Sequence, residues 1–519
     1  MSNKRLLKPT TIVGLNTAIS RVFGFIRDIL IASFFGTTAF AQAFVVAFRI
    51  PNLLRDLVGE GAANAALVPV LTEYNSLKSK EEFWKLSRVL LNISFVVLIL
   101  LSFAGMILAP IIVRAIAPGF IEEPAKLELT IKLTRMIFPF VLLIGLFAYG
   151  MSVLNSLREF TAPSLGPVLL NIAMISGLLW LCPRIGIEGL AFSVLAGGTL
   201  QLAFIGWALY KKGFRLKFDF TLTHPGAKKI GRLLVPRLFG SAVHQLSVIV
   251  DSIFSSFEWI VGVGAPAALW YSYRLFHLPL AIFGIALATV TLPKMSEEAA
   301  RNDIAALKNT VNFSLRAVFF ILVPAGVGLA VLGGPIIEIL FQRGEFTSYS
   351  TFITEKALFF YSFGLFVCGG IKILVNAFYS LGDTKTPVKI ATGALLLNLL
   401  FNFILMWPLK IGGLALATSL AALFNFSALY ICLRKKIGDV GTRAIIKSFL
   451  SILVSSLAMG IFAHFMLKAF AGLGGGEAAR AVGLVGTIGA SIALYLVMSI
   501  FIGAGEIKNA LSWISKKRF

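Results

Sequence analysis

The sequence is poor in charge. Only 14% of its 519 residues are Asp, Glu, Lys or Arg, against 58% hydrophobic, and the mean hydropathy is +0.89. A water-soluble domain carries about 25% charged residues, so this chain has too little polar surface for a water-facing exterior, and an ordinary soluble fold is excluded. Acids are scarcest: 24 Asp and Glu stand against 47 Lys and Arg, a net charge of +23. Cysteine and histidine are also rare. Cys182, Cys368 and Cys432 lie far apart in or beside apolar segments with no CxxC spacing, which excludes a thiolate metal site and leaves them as small core residues. Four scattered histidines offer no zinc constellation. A Gly-rich Walker loop, HExxH, GxSxG and a nucleophile–base pair in a loop are all missing. An enzyme is therefore a poor reading, no cofactor is expected, and an ATP-driven pump would need another subunit.

What is abundant is apolar runs of about 20 residues, each long enough to cross a bilayer, and about fourteen of them lie between residues 10 and 503. The fold expected is an all-α polytopic membrane protein. The start, MSNKRLLKPT, is basic and precedes an apolar stretch as a signal peptide would. That stretch contains Arg21, Arg27 and Asp28 and lacks a small-residue cleavage site, so it is expected to stay as the first span. With both termini placed in the cytoplasm, the inward loops, among them KSKEEFWK, KKGFRLKFDF and RKKIGDVGTR, collect most of the Lys and Arg. Topology thus accounts for most of the positive charge, and nucleic acid is not needed as a partner. The tail 506–519 is basic and weakly amphipathic and is expected on the inner headgroups.

The sequence repeats itself. LNSLREFTAP at 154–163 aligns with FYSLGDTKTP at 378–387, an offset of 224, and the same offset puts GLA at 189–191 on GLA at 413–415 and LYKKG at 209–213 on LRKKI at 433–437. FRIPNLLRDLVGEG at 48–61 resembles YRLFHLPLAIFGIA at 273–286, with Arg49 over Arg274 and Gly59 over Gly284. Six spans, an even number, separate the copies, so both enter the membrane in the same sense. Parallel repeats of this kind bind substrate between their halves. The expected body is two six-helix lobes, 1–212 and 225–437, around a central cavity, with two extra C-terminal helices and the basic tail in 443–519.

Some residues do not belong in hydrocarbon. The first span holds Arg21, Arg27 and Asp28, the second holds Arg49 and Arg55 with Pro51 and the Gly59–Gly61 pair, and the eighth holds Arg274 followed by His277 and Pro279. An ionised residue at the bilayer centre costs about 2.5–3.5 kcal/mol on insertion scales, so these arginines need a polar environment. Arginine's planar fork suits phosphate or carboxylate. Several arginines with few acids point to a multiply charged anion. The plainer reading is pairing with Asp28, Asp56 and Glu60, or snorkelling to the surface; it is weighted to Arg49, shared by Arg55, and least suited to Arg21, Arg27 and Arg274. A second polar set is Asp251 in the seventh span, Asn398 and Asn402 in the eleventh and Thr418 in the twelfth. These hard oxygens suit Na⁺ or a transferable proton, or else form a structural interhelical hydrogen-bond network.

SRVFGFIRD at 20–28, AFRIPNLLRDLVGEGAANAALVPVLTEY at 47–74, YSYRLFHLPLAIFGIALATVTLPKMS at 271–296 and FYSLGDTKTPVKIA at 378–391 resemble the MurJ/MviN family of lipid II flippases, within the multidrug/oligosaccharidyl-lipid/polysaccharide exporter superfamily. The resemblance covers essentially the whole chain. It implies a lipid-linked peptidoglycan precursor as substrate, moved from the inner to the outer leaflet of the bacterial cytoplasmic membrane by alternating access, driven by membrane potential or a cation gradient. It implies that Arg21, Arg27, Arg55 and Arg274, with Ser20 and Asp28 beside them, engage the diphosphate-sugar headgroup. The last two spans would take the polyprenyl tail. Asp251, Asn398, Asn402, Thr418 and the Leu414 carbonyl match a sodium site of some members. Gln42 and His277 stand where some relatives have acids, and Asn402 replaces a carboxylate. A monomer among membrane lipids is expected, with cell-wall synthesis machinery as partner. The alternatives are a cation-coupled drug exporter of the same superfamily, whose cavity should expose acids, and a non-transporting scaffold for cell-wall assembly. A membrane glycosyltransferase lacks its acidic loop residues here.

Overall fold

A computed structural model describes the backbone of residues 4–55, 62–217, 224–472 and 476–502. The side chains of 4–12, 55, 62–65, 235–244, 471, 472 and 477 are not among those described, so the side chains of Arg55 and Arg237, and the whole of Asp56, Gly59, Glu60, Gly61 and the basic tail, lie outside what the structure describes. The chain is all helical, with no strand among the described residues. It forms two compact units, Met1–Phe257 with Arg343–Glu345, and Glu258–Gln342 with Phe346–Phe519.

The first unit contains α1 (Lys4–Phe35), α2 (Ala39–Arg55), α3 (Ala62–Leu77), α4 (Lys80–Ile116), α5 (Pro124–Ile137), α6 (Phe140–Ser156), α7 (Thr161–Trp180), the short α8 (Cys182–Ile185), α9 (Ile187–Lys211) and α10 (Pro225–Ser255). The second contains the short α11 (Glu258–Val261), α12 (Ala265–Pro279), α13 (Ala286–Ala300), α14 (Ile304–Phe341), α15 (Ser348–Ser362), α16 (Leu365–Ser380), α17 (Lys385–Leu409), α18 (Ile411–Ile437), α19 (Thr442–Gly472) and α20 (Glu477–Phe501). A π-helical turn, Leu280–Ile285, joins α12 to α13. The repeat puts α10 at the head of its second copy, yet α10 packs on α3 and α4. Lys229 pairs with Glu73 at 2.6 Å, His224 meets Glu82 at 3.1 Å, and Gly226 lies against Leu86 and Tyr74.

Among the described residues ten helical stretches are long and apolar enough to cross a membrane, or eleven if the bent pair α15–α16 is one span. Each of the fourteen expected segments falls on a helix or on helices in series. Those that fall short are α1, which carries Arg21, Arg27 and Asp28, α2 with α3, where the apolar helix Ala39–Leu54, with Pro51 inside it, is short, and α10, whose apolar described stretch runs only from Gln245 to Ser255. Large side chains such as Leu100, Phe103, Ile107 and Ile111 of α4 are exposed, as a lipid solvent allows.

The duplication extends to individual bonds. Ser79 caps α4 by accepting from the Glu82 N–H at 3.2 Å, and Asp303, 224 residues on, caps α14 by accepting from Ala306 at 2.9 Å; each satisfies an N–H that the first turn leaves without a partner. After α6 the Glu159 N–H donates back to the Leu154 carbonyl, and after α16 the Asp383 N–H donates to Phe378, the equivalent residue. Both closures need one left-handed residue, Arg158 at φ 60 and Gly382 at φ 72. Both turns end in an ion pair with the far end of the second long helix to follow, α9 or α18: Glu159 with Lys212 at 3.0 Å, Asp383 with Lys436 at 2.6 Å. The Lys436 ammonium and the Thr386 N–H hold the Asp383 carboxyl well below the usual range. Partial burial works against ionisation of Glu159, but Lys212 and Thr161 outweigh it and its pKa is lowered too.

Candidate functional site

In the first unit the polar centre lies where α1 packs on α7. Arg27 is 8% exposed and Asp28 3%. The Arg27 Nε and Nη2 groups both donate to Asp28 Oδ1, at 3.0 and 2.7 Å, and Nη1 donates to Asn171 Oδ1 at 2.9 Å. Asn171, on α7, turns its amide N–H toward the Ser20 carbonyl at 3.0 Å. Gly24 makes that approach easy, since a Cβ there would already sit 3.4 Å from Asn171 Nδ2. Two turns toward the start of α1, Asn16 donates to Ser164 Oγ at 2.7 Å. Ser20, Arg27, Asp28 and Asn171 are thus brought together, whereas Arg21, roughly 120° away around the helix, is exposed. Arg49 reaches α10, donating to Ser252 Oγ and to the Val248 carbonyl at 3.3 Å.

Gln42 has a local explanation. Its Oε1 accepts from the buried Lys126 ammonium at 3.4 Å while Nε2 donates to the Thr37 carbonyl at 3.1 Å. Lys126 also pairs with Glu123 at 2.8 Å and lies 4.8 Å from the Phe120 ring.

In the second unit Arg274 lies half-buried on α12 with its guanidinium 4.3 Å from the Trp270 ring centre. His277 is in ring contact with Tyr273, 5.7 Å between centres. On α17 and α18 the Asn402 amide donates to Asn398 Oδ1 at 3.2 Å, Asn398 donates to Thr418 Oγ1 at 3.4 Å, and Thr418 donates to the Leu414 carbonyl at 3.1 Å. Those four residues form one connected network. Asp251 is half-buried on α10, in the first unit. No cluster of three His, Cys, Asp or Glu able to hold a metal exists among the described residues.

Among the residues of these arrangements that the sequence does not single out are Asn171 and Trp270. Asn171 sits in an apolar run just as Asn398 does, and that signal would have found it. Trp270 precedes Arg274 by four residues, one helical turn.

The family model for the lipid II flippase MurJ matches residues 31–478. The chain belongs to the MurJ family. Its relatives include the probable lipid II flippase MurJ of Vibrio cholerae, 35% identical over 515 residues that cover 96% of this chain and 97% of that one. The lipid II flippase MurJ of Burkholderia cenocepacia is 34% identical over 426 residues, 81% of this chain and 82% of that one. Among solved structures, a lipid II flippase MurJ in an inward closed conformation superposes with a TM-score of 0.81 at 29% identity, covering 95% of this chain and 98% of its own. An inward-facing multidrug resistance MATE transporter of the MOP superfamily superposes at 0.69 with 15% identity, covering 82% of this chain and 96% of its own, a likeness of fold alone.

Proposed function

We propose that the protein moves lipid II, an undecaprenyl-diphosphate-linked disaccharide-pentapeptide, from the cytoplasmic to the outer leaflet of the bacterial inner membrane by alternating access. The family match over residues 31–478 carries this reading. The chemistry supports it. A diphosphate cannot enter hydrocarbon unless its hydration is replaced, and guanidinium forks replace it with charge-assisted hydrogen bonds. Arg21 is exposed, and Arg27 is held by one carboxylate oxygen and one amide oxygen. A phosphate oxygen is a chemical substitute for the Asp28 carboxylate at that fork, and headgroup binding that displaces Asp28 must give this buried carboxylate water or a proton in exchange. Arg274 supplies a third cation, and Arg55 a fourth by the family's motif.

The same reading has both termini in the cytoplasm, α1, α2 with α3, and α10 crossing as well to give fourteen spans, and lobes 1–212 and 225–437 with α19 and α20 for the lipid tail. An inside-negative potential favours outward movement of an anion by about 2.3 kcal/mol per elementary charge per 100 mV. The Asn398, Asn402, Thr418 and Leu414 oxygens suit Na⁺, with Asp251 the one carboxylate of the set; these oxygens would hold the coupling ion and H⁺ is the alternative.

The test is depletion. Lipid II should accumulate on the inner leaflet and return to the outer leaflet when this chain is restored, and a variant carrying Arg27→Ala and Arg274→Ala, expressed at the normal level, should not restore it. Translocation by that variant at the wild-type rate defeats the anion-clamp reading.

A further inference from the structure

We propose that Trp270 is a positioning residue for headgroup binding: its indole face holds the Arg274 guanidinium in a fixed plane, so that the edge of the fork is presented to phosphate already oriented. The proposal rests on Arg274 being a headgroup ligand. It is carried by the contact itself, the guanidinium carbon lying over the indole 4.3 Å from the ring centre, and by the way α12 is fixed. Helical side chains lean toward the N-terminus, so the side chain at i+4 lies over the residue at i, and Arg274 is placed on Trp270 by backbone geometry.

Contacts with neighbouring segments also fix the rotation of α12 about its axis. Ser272 Oγ is hydrogen-bonded to the Thr354 carbonyl of α15 at 2.8 Å. The fully buried Tyr271 packs against Phe341 and Phe346, both with ring centres 5.5 Å away. Trp270 and Arg274 therefore share the face beside these anchors, ahead of the π-helical turn at Leu280–Ile285, where the register changes. A free arginine side chain samples many rotamers, and ordering it opposes ligand binding. A cation–π stack engages the face of the guanidinium, whereas phosphate is chelated in the guanidinium plane. The two interactions are geometrically compatible, so the indole can order the arginine without competing for the ligand.

The experiment uses the full chain in vesicles and measures lipid II translocation against lipid II density. Trp270→Leu should raise the density needed for half-maximal rate by about 10-fold with the maximal rate little changed. Trp270→Phe should recover most of that loss. In an Arg274→Ala background, Trp270→Leu should add nothing. If it costs the same factor there, Trp270 acts by packing alone and the proposal fails. If Arg274→Ala itself runs at the wild-type rate and density, the headgroup role of Arg274 fails instead, a different result from the first. Should Trp270→Leu not fold, tryptophan analogues with one to four ring fluorines at 270 keep the shape and drain the ring's negative face. A stepwise rise in half-maximal density with fluorination supports the stack, and a flat series overturns it.

Discussion

At Lys410 the backbone takes φ 55 and ψ −132, in the connection from α17 to α18. The equivalent position in the first repeat is Gly186, at φ 66 and ψ −145. A side chain in that corner of conformational space costs about 1–3 kcal/mol, and the exposed Lys410 side chain makes no hydrogen bond among the described residues that would offset it. Lys410→Gly should therefore raise the stability of the purified protein by about 1 kcal/mol after glycine's extra chain entropy is subtracted. A thermal unfolding midpoint that stays put or falls would count against the strain. The residue scale is also where the sequence was hardest to read. Arg21, Arg27 and Arg274 stand out because charge in an apolar run is visible in one dimension. What each does is decided by partners far away in sequence. Asn171 lies 144 residues from the Arg27 it binds. That contact sorts Arg27, engaged in its plane, from Arg21, exposed, though the two look alike in the chain. Gln42 looks like a lost acid until Lys126 and Thr37 supply both of its hydrogen bonds.

Helices pack through the same glycines in both repeats. A Cβ on Gly145 would meet Leu98 Cδ1 at 2.5 Å, and one on Gly369 would meet Leu322 Cδ1 at 2.4 Å, the equivalent pair. A Cβ on Gly413 would instead lie 2.0 Å from the Leu405 carbonyl oxygen. The two kinds of contact predict different outcomes for the same added methyl. At Gly145 and Gly369 the end of a leucine can turn aside, and alanine should cost about 1–3 kcal/mol, alike in the two repeats. At Gly413 the obstacle is backbone held by helical hydrogen bonds, and Gly413→Ala should lower the yield of folded protein more than Gly369→Ala does. Chromatographic yield and unfolding midpoint of the three variants check this; a Gly413→Ala protein as stable as the Gly369→Ala one would contradict it. Elements were the legible scale, because a long apolar run specifies a helix from local chemistry alone, although the starts of α4 and α14, set by Ser79 and Asp303, lie ahead of the apolar runs. The π-helical turn at Leu280–Ile285 was not legible. It widens one turn of an otherwise continuous helix and leaves no compositional mark.

For the whole molecule, the open quantity is parity. The closing turns at Arg158 and Gly382 are built alike and carry the same ion pair, so duplication in parallel requires that both face the same side of the membrane. Between them α7, α9, α12 with α13, α14, and the bent pair α15–α16 are apolar enough to cross, which makes five. Five crossings would put the two turns on opposite sides. A sixth, α10, restores agreement, although its described apolar stretch of Gln245–Ser255 is too short by length and composition. Single cysteines introduced at Arg158 and at Lys385, after replacing the three native ones, should therefore both react with a membrane-impermeant thiol reagent in inverted vesicles and both be protected in intact cells. A cysteine at Arg184, one crossing beyond Arg158, should show the opposite pattern. If Arg158 and Lys385 instead label from opposite sides, α10 does not cross and the two copies are inverted. Asp251 would then belong to a helix lying along the interface rather than at membrane depth, and the proposed cation site would lose its one carboxylate.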